Sequence, residues 1–199
     1  MKKKVAIIGG AGLIGTILTE HLSDKYHLFI LDKNVQNVPN GIEVDATNFE
    51  DLVRKIPENC DVVINLLNIH TEDSLKDIEP FQKMTDIHFT SSFYILHAAI
   101  KLGIPKVIYA SSNHVTDYYE VEGNSILGRE INSHDYPYSR SLYGTLKLAS
   151  ENIGRILALD KSNHLSVLNL RIGSVPKDQE HDLRTKKRTK KTLLTRDDV

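Results

Sequence analysis

The sequence predicts an α/β fold, a doubly wound parallel sheet with helices on both faces and right-handed crossovers. Short apolar runs alternate along the chain with longer segments whose apolar residues recur at helical spacing. A glycine-rich turn joins the first apolar run to the first helical segment. Several runs are continuously apolar, which is typical of parallel strands covered on both faces. With 199 residues, the chain is long enough for one domain with a substantial core.

The first half of the chain predicts three strands and two helices. Each strand is a short apolar run that ends at a glycine or an acidic residue, and each helix repeats apolar residues every three or four positions. The second helix also starts with a capping asparagine. The predicted elements are a strand at 4–9, a helix at 13–24, a strand at 27–32, a short strand at 41–45 and a helix at 48–56.

The second half continues the alternation with longer helices. A long helical pattern is closed by a glycine and a proline, which end helices. A long polar segment then separates the next strand from the next helix. The predicted elements are a strand at 60–67, a helix at 78–102, a strand at 106–111, an amphipathic helix at 139–161 and a strand at 165–171.

Composition excludes several classes of function. The chain is 40% hydrophobic and 26% charged with a net charge of -1, so it carries no overall field that would attract nucleic acid or an anionic membrane. No apolar run approaches the roughly 20 residues of a membrane span. The one cysteine, Cys60, forms no internal disulfide and fits a reducing compartment, or is simply a small buried apolar residue. We expect a cytoplasmic protein.

The C-terminal segment differs from the rest. Residues 184–191 (RTKKRTKK) are mostly basic and show no core pattern, which predicts a solvated or disordered tail. A basic partner site is the alternative, but no aromatic or base-reading side chains accompany the run. We therefore divide the chain into a main domain at 1–175 and a basic tail at 176–199.

The turn after the first strand predicts a phosphate site. Gly9, Gly12 and Gly15 recur every three residues between strand and helix. Glycine permits a tight turn and close approach of the backbone to a pyrophosphate, and the following helix N-terminus offers unpaired N–H groups. Because close packing of a strand on a helix also favours glycine, the triplet alone is weak evidence.

Two carboxylates at strand ends strengthen the dinucleotide interpretation. Asp32 ends the second strand, where a carboxylate accepts hydrogen bonds from the adenosine ribose hydroxyls. The same charge repels a 2′-phosphate and so favours NAD over NADP, a preference that Lys33 weakens without reversing. Asp45 ends the third strand and is placed to bind the adenine amino group. Each could instead be an ordinary turn carboxylate.

Tyr143 and Lys147 are candidates for a catalytic pair. Positions i and i+4 share one face of a helix, so the ammonium can lie near the phenol. A free tyrosine has a pKa of about 10 and is no base at neutral pH. A nearby cation, together with the charge of a bound nicotinamide, stabilises the phenolate and lowers that pKa toward working pH.

These motifs together resemble the extended short-chain dehydrogenase/reductase family, which includes the NAD-dependent epimerases and dehydratases. The resemblance implies a Rossmann sheet with a small C-terminal substrate-binding region. Residues 1–175 would then be the NAD-binding domain with the catalytic residues, and the basic tail at 176–199 would be the start of an incomplete substrate-binding region. It also implies that Ser112 is the catalytic serine that hydrogen-bonds the reacting oxygen, with Ser111 as the competing candidate. The cofactor-binding residues that it implies are Gly9, Gly12, Leu13, Ile14, Gly15, Asp32, Asp45, Ala46, Leu66, Tyr143 and Lys147.

A narrower resemblance covers the chain from Val5 to its last residue. The stretches ASSNHVTDYY, LYGTLK, NLRIGS and TLLTRDD are similar to the uronate dehydrogenase branch, which oxidises hexuronic acids to aldonolactones with NAD. It implies that Ser112, Asn113 and His114 hold sugar hydroxyls and that Ser174 contacts the substrate. An arginine that clamps the substrate carboxylate would be Arg184 or Arg188, between which spacing does not decide.

The sequence departs from that pattern in three places. His88 stands where the family has an asparagine that supports the active-site backbone, and His70 lies in a loop that is longer than usual. The chain ends at Val199, where relatives continue, so we expect a substrate lobe that is small or truncated. His70, His88 and His114 lack the spacing of metal ligands, and we expect no metal site.

Two other functions stay open. A nucleotide-sugar epimerase or dehydratase uses the same catalytic residues, although it needs a larger lobe. A protein that binds NAD without catalysis is the other alternative, motivated by His88 and the early end of the chain. The expected partner is a small sugar or sugar-acid substrate, with no nucleic acid and no membrane. The family often pairs subunits through the two long helices, which makes a homodimer a further expectation.

Overall fold

A computed structural model describes residues 1–71, 75–132 and 134–199. Its strands are β1 (Lys4–Ile8), β2 (His27–Asp32), β3 (Ile42–Glu43), β4 (Val62–Asn65), β5 (Lys106–Ser112), β6 (Glu120–Val121), β7 (Asn124–Ser125) and β8 (Ser166–Ile172). Six of them form one sheet in the order β3-β2-β1-β4-β5-β8. Every pair in this sheet is parallel, whereas β6 and β7 form a separate antiparallel hairpin.

Helices connect the strands. They are α1 (Leu13–Leu22), α2 (Phe49–Lys55), α3 (Ile78–Thr85), α4 (Ser91–Lys101), α5 (Leu142–Leu159), α6 (Gln179–Thr185) and α7 (Thr189–Thr192). A π-helical segment, Asp86–Thr90, joins α3 to α4, and 3-10 segments lie at Asn113–Tyr119, Lys161–Asn163 and Arg196–Asp198. The structure confirms the predicted doubly wound sheet.

The strand order reverses between β1 and β4. From β1 the chain first builds outward through β2 and β3, then returns to place β4, β5 and β8 on the other side of β1. In an open parallel sheet, ligands bind outside the carboxyl ends of the strands at such a reversal. The glycine turn after β1 and the polar run at the end of β5 therefore belong to the same edge of the sheet.

Two apolar layers hold the helices to the sheet. On one face, Ala6, Val63 and Val107 pack with residues of α2, α4 and α5, and Ile95 is fully buried in this layer. On the other face, Val5, Ile7, Ile30 and Ile64 pack with Leu18 of α1. Burial of this kind contributes roughly 25 cal/mol for each Å² of apolar surface, which makes the two layers the main source of stability.

Coverage is thinner over β8 than the prediction of helices on both faces implies. Leu168 and Leu170 of β8 are 49% and 43% exposed. Leu170 lines an apolar cavity of about 490 Å³ between α1 and the strands β4, β5 and β8. The predicted double covering therefore holds at the centre of the sheet and weakens toward β8.

Helix boundaries differ from the prediction in two places. The long helix expected at 78–102 is broken by the π-helical segment at Asp86–Thr90. The helix expected at 139–161 begins only at Leu142, because the Ser141 side chain accepts a hydrogen bond from Gly144 N and caps the helix there. The long loop predicted after β4 falls partly on residues 72–74, which lie outside the described residues.

The basic tail is ordered by contacts that the sequence pattern does not reveal. Ser174 N donates to Thr192 O at 2.7 Å, and Leu194 N donates back to Ser174 O at 2.9 Å. Thr189 is buried, and Arg188 is paired with Glu120. Most of the basic run is solvated as predicted, with Arg184 and Lys187 79% and 71% exposed, but the run is not disordered, because backbone pairing and ion pairs replace an apolar stripe. The division at residue 175 stays a prediction.

None of the helices in the described part of the chain combines the length and the apolar character that crossing a membrane would require.

Candidate active site

The glycine turn is shaped for close backbone approach. Gly9 has a φ of 78°, and a Cβ at this position would lie 3.0 Å from the backbone of Leu66. A Cβ at Gly15 would lie 2.2 Å from the carbonyl oxygen of Gly10. Any larger side chain would therefore push the first turn of α1 away from β1. The cradle that these glycines leave suits a diphosphate at a helix N-terminus.

The helix that follows leaves its first turn available. Gly12 is the N-cap of α1, and within the described residues no side chain caps this end. Leu13 and Ile14 form the first turn and are half-buried, and Ile14 lines the apolar cavity beside β4. The unpaired N–H groups of a first helical turn attract anions. Backbone geometry thus supports the cofactor role expected of these residues.

Asp32 reaches the glycine turn from the end of β2. Its Oδ2 accepts a hydrogen bond from Ala11 N at 3.1 Å, and its Oδ1 accepts one from Asn34 N at 3.3 Å. The carboxylate therefore lies at the strand end where a ribose would be bound. Lys33, which was expected to weaken the preference for NAD, turns instead to Asp45, 3.5 Å from its Oδ2.

Asp45 is engaged by its own turn. Its Oδ1 accepts hydrogen bonds from Thr47 Oγ1 at 2.6 Å and from Thr47 N at 3.0 Å. The hydroxyl bond, with help from Lys33, holds the pKa of this carboxyl below its usual range. Ala46 beside it is buried. The adenine role of Asp45 stays a prediction, since one oxygen serves the turn and the other faces Lys33.

Lys147 is buried under the end of β5. Its side chain is 2% exposed, and Nζ donates to Ala110 O at 2.8 Å and to Leu67 O at 3.2 Å. The ammonium lies 5.7 Å from the ring centre of Tyr143, as the i, i+4 spacing predicts. Burial lowers the pKa of Lys147 to about 7.

Tyr143 faces Ser112. A hydrogen bond with the Ser112 side chain lowers the pKa of Tyr143, but burial outweighs it and raises the pKa above its usual value. The lowering expected from the charge of a bound nicotinamide concerns the cofactor complex and stays a prediction. The protein alone therefore does not poise Tyr143 as a base.

The structure separates the two candidate serines. Ser111 Oγ donates a short hydrogen bond to Glu151 Oε1, inside the sheet–helix layer. Glu151 is held in turn by Arg171, whose terminal nitrogen is 2.7 Å from Oε2. Both serines meet α5, but Ser112 hydrogen-bonds Tyr143 near the start of this helix, whereas Ser111 is engaged by Glu151, eight positions further along it. The geometry favours Ser112 as the serine of the site.

Three histidines surround Tyr143, a convergence that the sequence does not show. The ring centres of His88, His70 and His114 lie 5.0, 5.2 and 5.5 Å from that of Tyr143. They come from three distant parts of the chain, so only tertiary structure unites them. Among the described residues, no group of three or more His, Cys, Asp or Glu side chains is arranged to hold a metal ion.

His114 is oriented by Asp117, a residue that sequence reasoning missed. Its Nδ1 lies 3.0 Å from Asp117 Oδ2. Although burial opposes it, hydrogen bonds from Arg140 N and Ser139 Oγ, with the one from His114, hold the pKa of Asp117 below its usual range. The i, i+3 spacing of His114 and Asp117 in the sequence was the available signal.

A cleft of about 740 Å³ opens beside these histidines. Its lining includes His70, His114, Ser174 and Arg188. The structure thus brings together three of the residues expected to bind substrate. Of the other residues expected to bind substrate, Asn113 lines a neighbouring cavity of about 930 Å³ instead, and Ser112 and Arg184 are not among the described residues that line the cleft.

The two candidate arginines occupy different environments. The Arg184 side chain is 79% exposed and faces Glu180 on α6, 3.5 Å away. Arg188 is 25% exposed, and its Nε donates to Glu120 Oε1 at 2.7 Å. One terminal nitrogen of Arg188 is buried and has no hydrogen-bond partner within the described residues. Of the two, Arg188 lines the cleft, and the assignment of the substrate carboxylate to either arginine stays a prediction.

Comparison with known proteins agrees with this geometry. The model of the NAD-dependent epimerase/dehydratase family matches residues 5–187. The chain belongs to the NAD-dependent epimerase/dehydratase family. Members of this family use NAD, and the glycine cradle with Asp32 fits that cofactor.

Individual relatives of this family member span a range of identities. The uncharacterised protein YtbQ of Bacillus subtilis strain 168 is 49% identical over 198 residues, which cover 99% of this chain and 78% of that protein. A uronate dehydrogenase of Pseudomonas syringae pv. tomato is 25% identical over 176 residues, covering 86% of this chain and 59% of that enzyme.

A solved structure described as a mutated uronate dehydrogenase superposes with a TM-score of 0.77 at 22% identity. The match covers 99% of this chain and 66% of that one. At this identity the likeness shows the fold alone. The chain spans less than two thirds of both the Pseudomonas enzyme and the solved structure.

Proposed function

We propose that this family member is an NAD-dependent oxidoreductase that oxidises a hexuronate at its anomeric carbon to an aldonolactone. The observation that carries the proposal is the meeting of Ser112, Tyr143 and Lys147 at the carboxyl end of β5, beside a cleft that Arg188 lines. This is the edge of the sheet where the glycine turn would place a dinucleotide.

The roles of the residues follow from hydrogen-bonding capacity. Ser112 hydrogen-bonds the anomeric hydroxyl, and the Tyr143 phenolate takes its proton. The anomeric C–H bond breaks with both electrons, the carbon–oxygen double bond forms, and the substrate becomes the lactone. When bound, NAD accepts this hydride and contributes a positive charge close to the phenol.

Lys147 makes the proton transfer feasible. Its Nζ already donates to two carbonyls, and an ammonium has three protons to give. The third proton is available to a hydroxyl on the cofactor side of Tyr143. The charge of Lys147 favours the phenolate, which burial alone disfavours. Burial lowers the pKa of Lys147 itself to about 7. The side chain is therefore mostly charged below that pH, and there it stabilises the phenolate most.

Recognition of the sugar acid falls to the cleft. The unpartnered terminal nitrogen of Arg188 would donate to the substrate carboxylate, while Glu120 keeps the guanidinium in place through Nε. His114, oriented by Asp117, and Ser174 would hold hydroxyls. Lys186 and Lys187 of the same cleft are already paired with Asp182 and Glu122. Arg188 is therefore the better candidate for the charge-assisted donor to the carboxylate.

A second candidate is a protein that binds NAD without turnover. The raised pKa of Tyr143 favours it, because a phenol that stays protonated removes no proton. Such a protein would bind NAD equally well when Tyr143 is replaced by phenylalanine.

Two measurements on the purified chain separate these candidates. Calorimetry with NAD reports binding, and the absorbance of NADH reports turnover of D-glucuronate, D-galacturonate and, as a neutral comparison, D-glucose. The proposal predicts NAD binding and NADH formation with a uronate, and loss of turnover in Tyr143→Phe. Binding of NAD without NADH from either uronate would contradict it and support the second candidate.

A further inference from the structure

His88 is a buried polar residue to which the proposed reaction assigns no role. It is 1% exposed and lies in the π-helical segment Asp86–Thr90 between α3 and α4. A π-helical turn interrupts regular helical hydrogen bonding and is frequent at functional sites. Burying an imidazole costs folding free energy unless the ring is hydrogen-bonded, so a buried histidine is expected to have partners.

The backbone carbonyl of His88 is fully used. It accepts a hydrogen bond from Ser92 Oγ at 2.9 Å and another from Ser150 Oγ at 2.7 Å. A carbonyl oxygen has two lone pairs, so both are occupied. Ser150 lies on α5 three residues after Lys147, which ties the π-helical segment to the helix that carries the catalytic pair. Further contacts of His88 with the site must therefore come from its side chain.

The imidazole holds the segment that follows β4. Its Nε2 lies 3.0 Å from Ile69 O and 3.4 Å from Ile69 N. The shorter distance to the carbonyl assigns the proton to Nε2, which donates to Ile69 O. Two residues earlier, the Leu67 carbonyl accepts the hydrogen bond from Lys147 Nζ. Nδ1 has no hydrogen-bond partner within the described residues, so the ring is anchored through Nε2 alone.

The ring also touches Tyr143 directly. The two ring planes are 81° apart, an edge-to-face contact that restrains the phenol. Burial, with the nearby Lys147 cation and His70 adding to it, lowers the pKa of His88 to about 4. The imidazole is therefore neutral at physiological pH and adds no like charge beside Lys147.

We propose that His88 is a positioning residue for Tyr143 and Lys147. Its Nε2–H fixes Ile69, and this keeps the Leu67 carbonyl where it holds the Lys147 ammonium beside the phenol. The inference rests on the proposed function only in taking Tyr143 and Lys147 as the reacting pair. It explains how this chain builds its site with a histidine at position 88, through a side-chain contact with the backbone after β4.

Three substitutions distinguish the role of Nε2 from that of Nδ1. The amide nitrogen of glutamine in His88→Gln can take the position of Nε2, whereas that of asparagine in His88→Asn corresponds to Nδ1. His88→Phe keeps an aromatic ring and has no donor, so that, like His88→Asn, it lacks a donor at the position of Nε2. Thermal unfolding followed by circular dichroism checks that each variant is folded.

The readouts are kcat with NAD and D-glucuronate, the NAD affinity by calorimetry, and the pKa of Tyr143. The last is measured in the NAD complex by ultraviolet absorbance of tyrosinate, as the difference from the matching Tyr143→Phe protein. We expect His88→Asn and His88→Phe to lower kcat about tenfold, as misplacement of a reacting group does. Both should raise the pKa of Tyr143 and leave the NAD affinity within about twofold of the wild-type value. His88→Gln should restore kcat and the Tyr143 pKa toward those of the wild type.

Two results would overturn the positioning role. One is a His88→Asn or His88→Phe protein with the kcat and the Tyr143 pKa of the wild type, and the other is a His88→Gln protein as impaired as His88→Asn. If no variant and no wild-type protein oxidises a uronate, the proposed function fails. The Tyr143 pKa then still decides the role of His88, because that measurement needs no turnover.

Discussion

Lys147 Nζ donates a hydrogen bond of 2.8 Å to the carbonyl of Ala110, two residues before Ser112 on β5. This bond joins the helix that carries Tyr143 to the strand that carries the serine of the site. The ammonium has almost no contact with solvent, and burial lowers its pKa to about 7. The bond therefore orders the site, and the burial of the ammonium imposes a cost on folding that depends on pH.

Lys147→Met should reveal that cost. Between pH 7 and the ordinary lysine pKa of 10.5, the unfolded chain binds more protons at this position than the folded chain. The stability of the wild type therefore gains from Lys147 as pH rises through this window, and the gain is absent below pH 7. The unfolding free energy of the wild type minus that of Lys147→Met, measured by urea denaturation, should therefore increase from pH 7 to pH 10. A difference that does not change with pH would show that Lys147 titrates normally.

Ser111→Ala and Ser112→Ala form a matched pair. Ser112→Ala should lower kcat about 100-fold, because it removes a donor to the reacting oxygen, and should leave stability nearly unchanged. Ser111→Ala removes the donor to the buried Glu151 and should cost about 1–3 kcal/mol of stability, with little change in kcat. Steady-state kinetics and denaturant unfolding distinguish the two. If Ser111→Ala lost kcat and Ser112→Ala lost only stability, Ser111 would be the serine of the site.

Asp32→Ala should weaken NAD binding and relax the discrimination against NADP. The carboxylate contacts the glycine turn through Ala11 N and repels a 2′-phosphate. We expect the Kd for NAD to rise about tenfold, as loss of a hydrogen bond to a charged group does, with a smaller change for NADP. Glu43→Gln is the control, since this exposed carboxylate lies at the end of β3. Equal loss of both cofactors would mean that Asp32 only supports the turn.

Arg188→Ala and Arg184→Ala test the anion contact. Arg188 lines the cleft and has an unpartnered nitrogen, whereas Arg184 is exposed beside Glu180. Removing Arg188 should raise KM for D-glucuronate about tenfold or more, because a charge-assisted hydrogen bond is lost, with the KM for NAD unchanged. Arg184→Ala should behave as the wild type. If Arg184→Ala raised KM for D-glucuronate and Arg188→Ala did not, the substrate carboxylate would be bound at α6 instead.

Much of the framework could be predicted from periodicity and spacing. The glycine triplet, the acidic end of β2 and the i, i+4 pair on α5 are local features, and local features are visible in a sequence. The break at Asp86–Thr90 was missed because one widened turn leaves the apolar spacing almost unchanged. The β6–β7 hairpin was missed because two-residue strands show no alternation.

The parts of the site that could not be predicted depend on tertiary contacts. The convergence of His70, His88 and His114 on Tyr143 joins residues from separate connections of the fold. The order of the tail depends on Arg188 meeting Glu120, nearly seventy positions earlier in the chain. The burial of Tyr143, which raises the pKa of its phenol in the protein without cofactor, also cannot be read from sequence spacing.

The most direct test of the central claim follows the anomeric hydrogen. D-Glucuronate carrying deuterium at its anomeric carbon is mixed with NAD and the wild-type protein, and the nicotinamide product is weighed by mass spectrometry. The account predicts that deuterium appears in the reduced cofactor and that Tyr143→Phe abolishes this transfer while still binding NAD. Reduced cofactor without deuterium, equal transfer by Tyr143→Phe, or no transfer by a wild-type protein that binds NAD would contradict it.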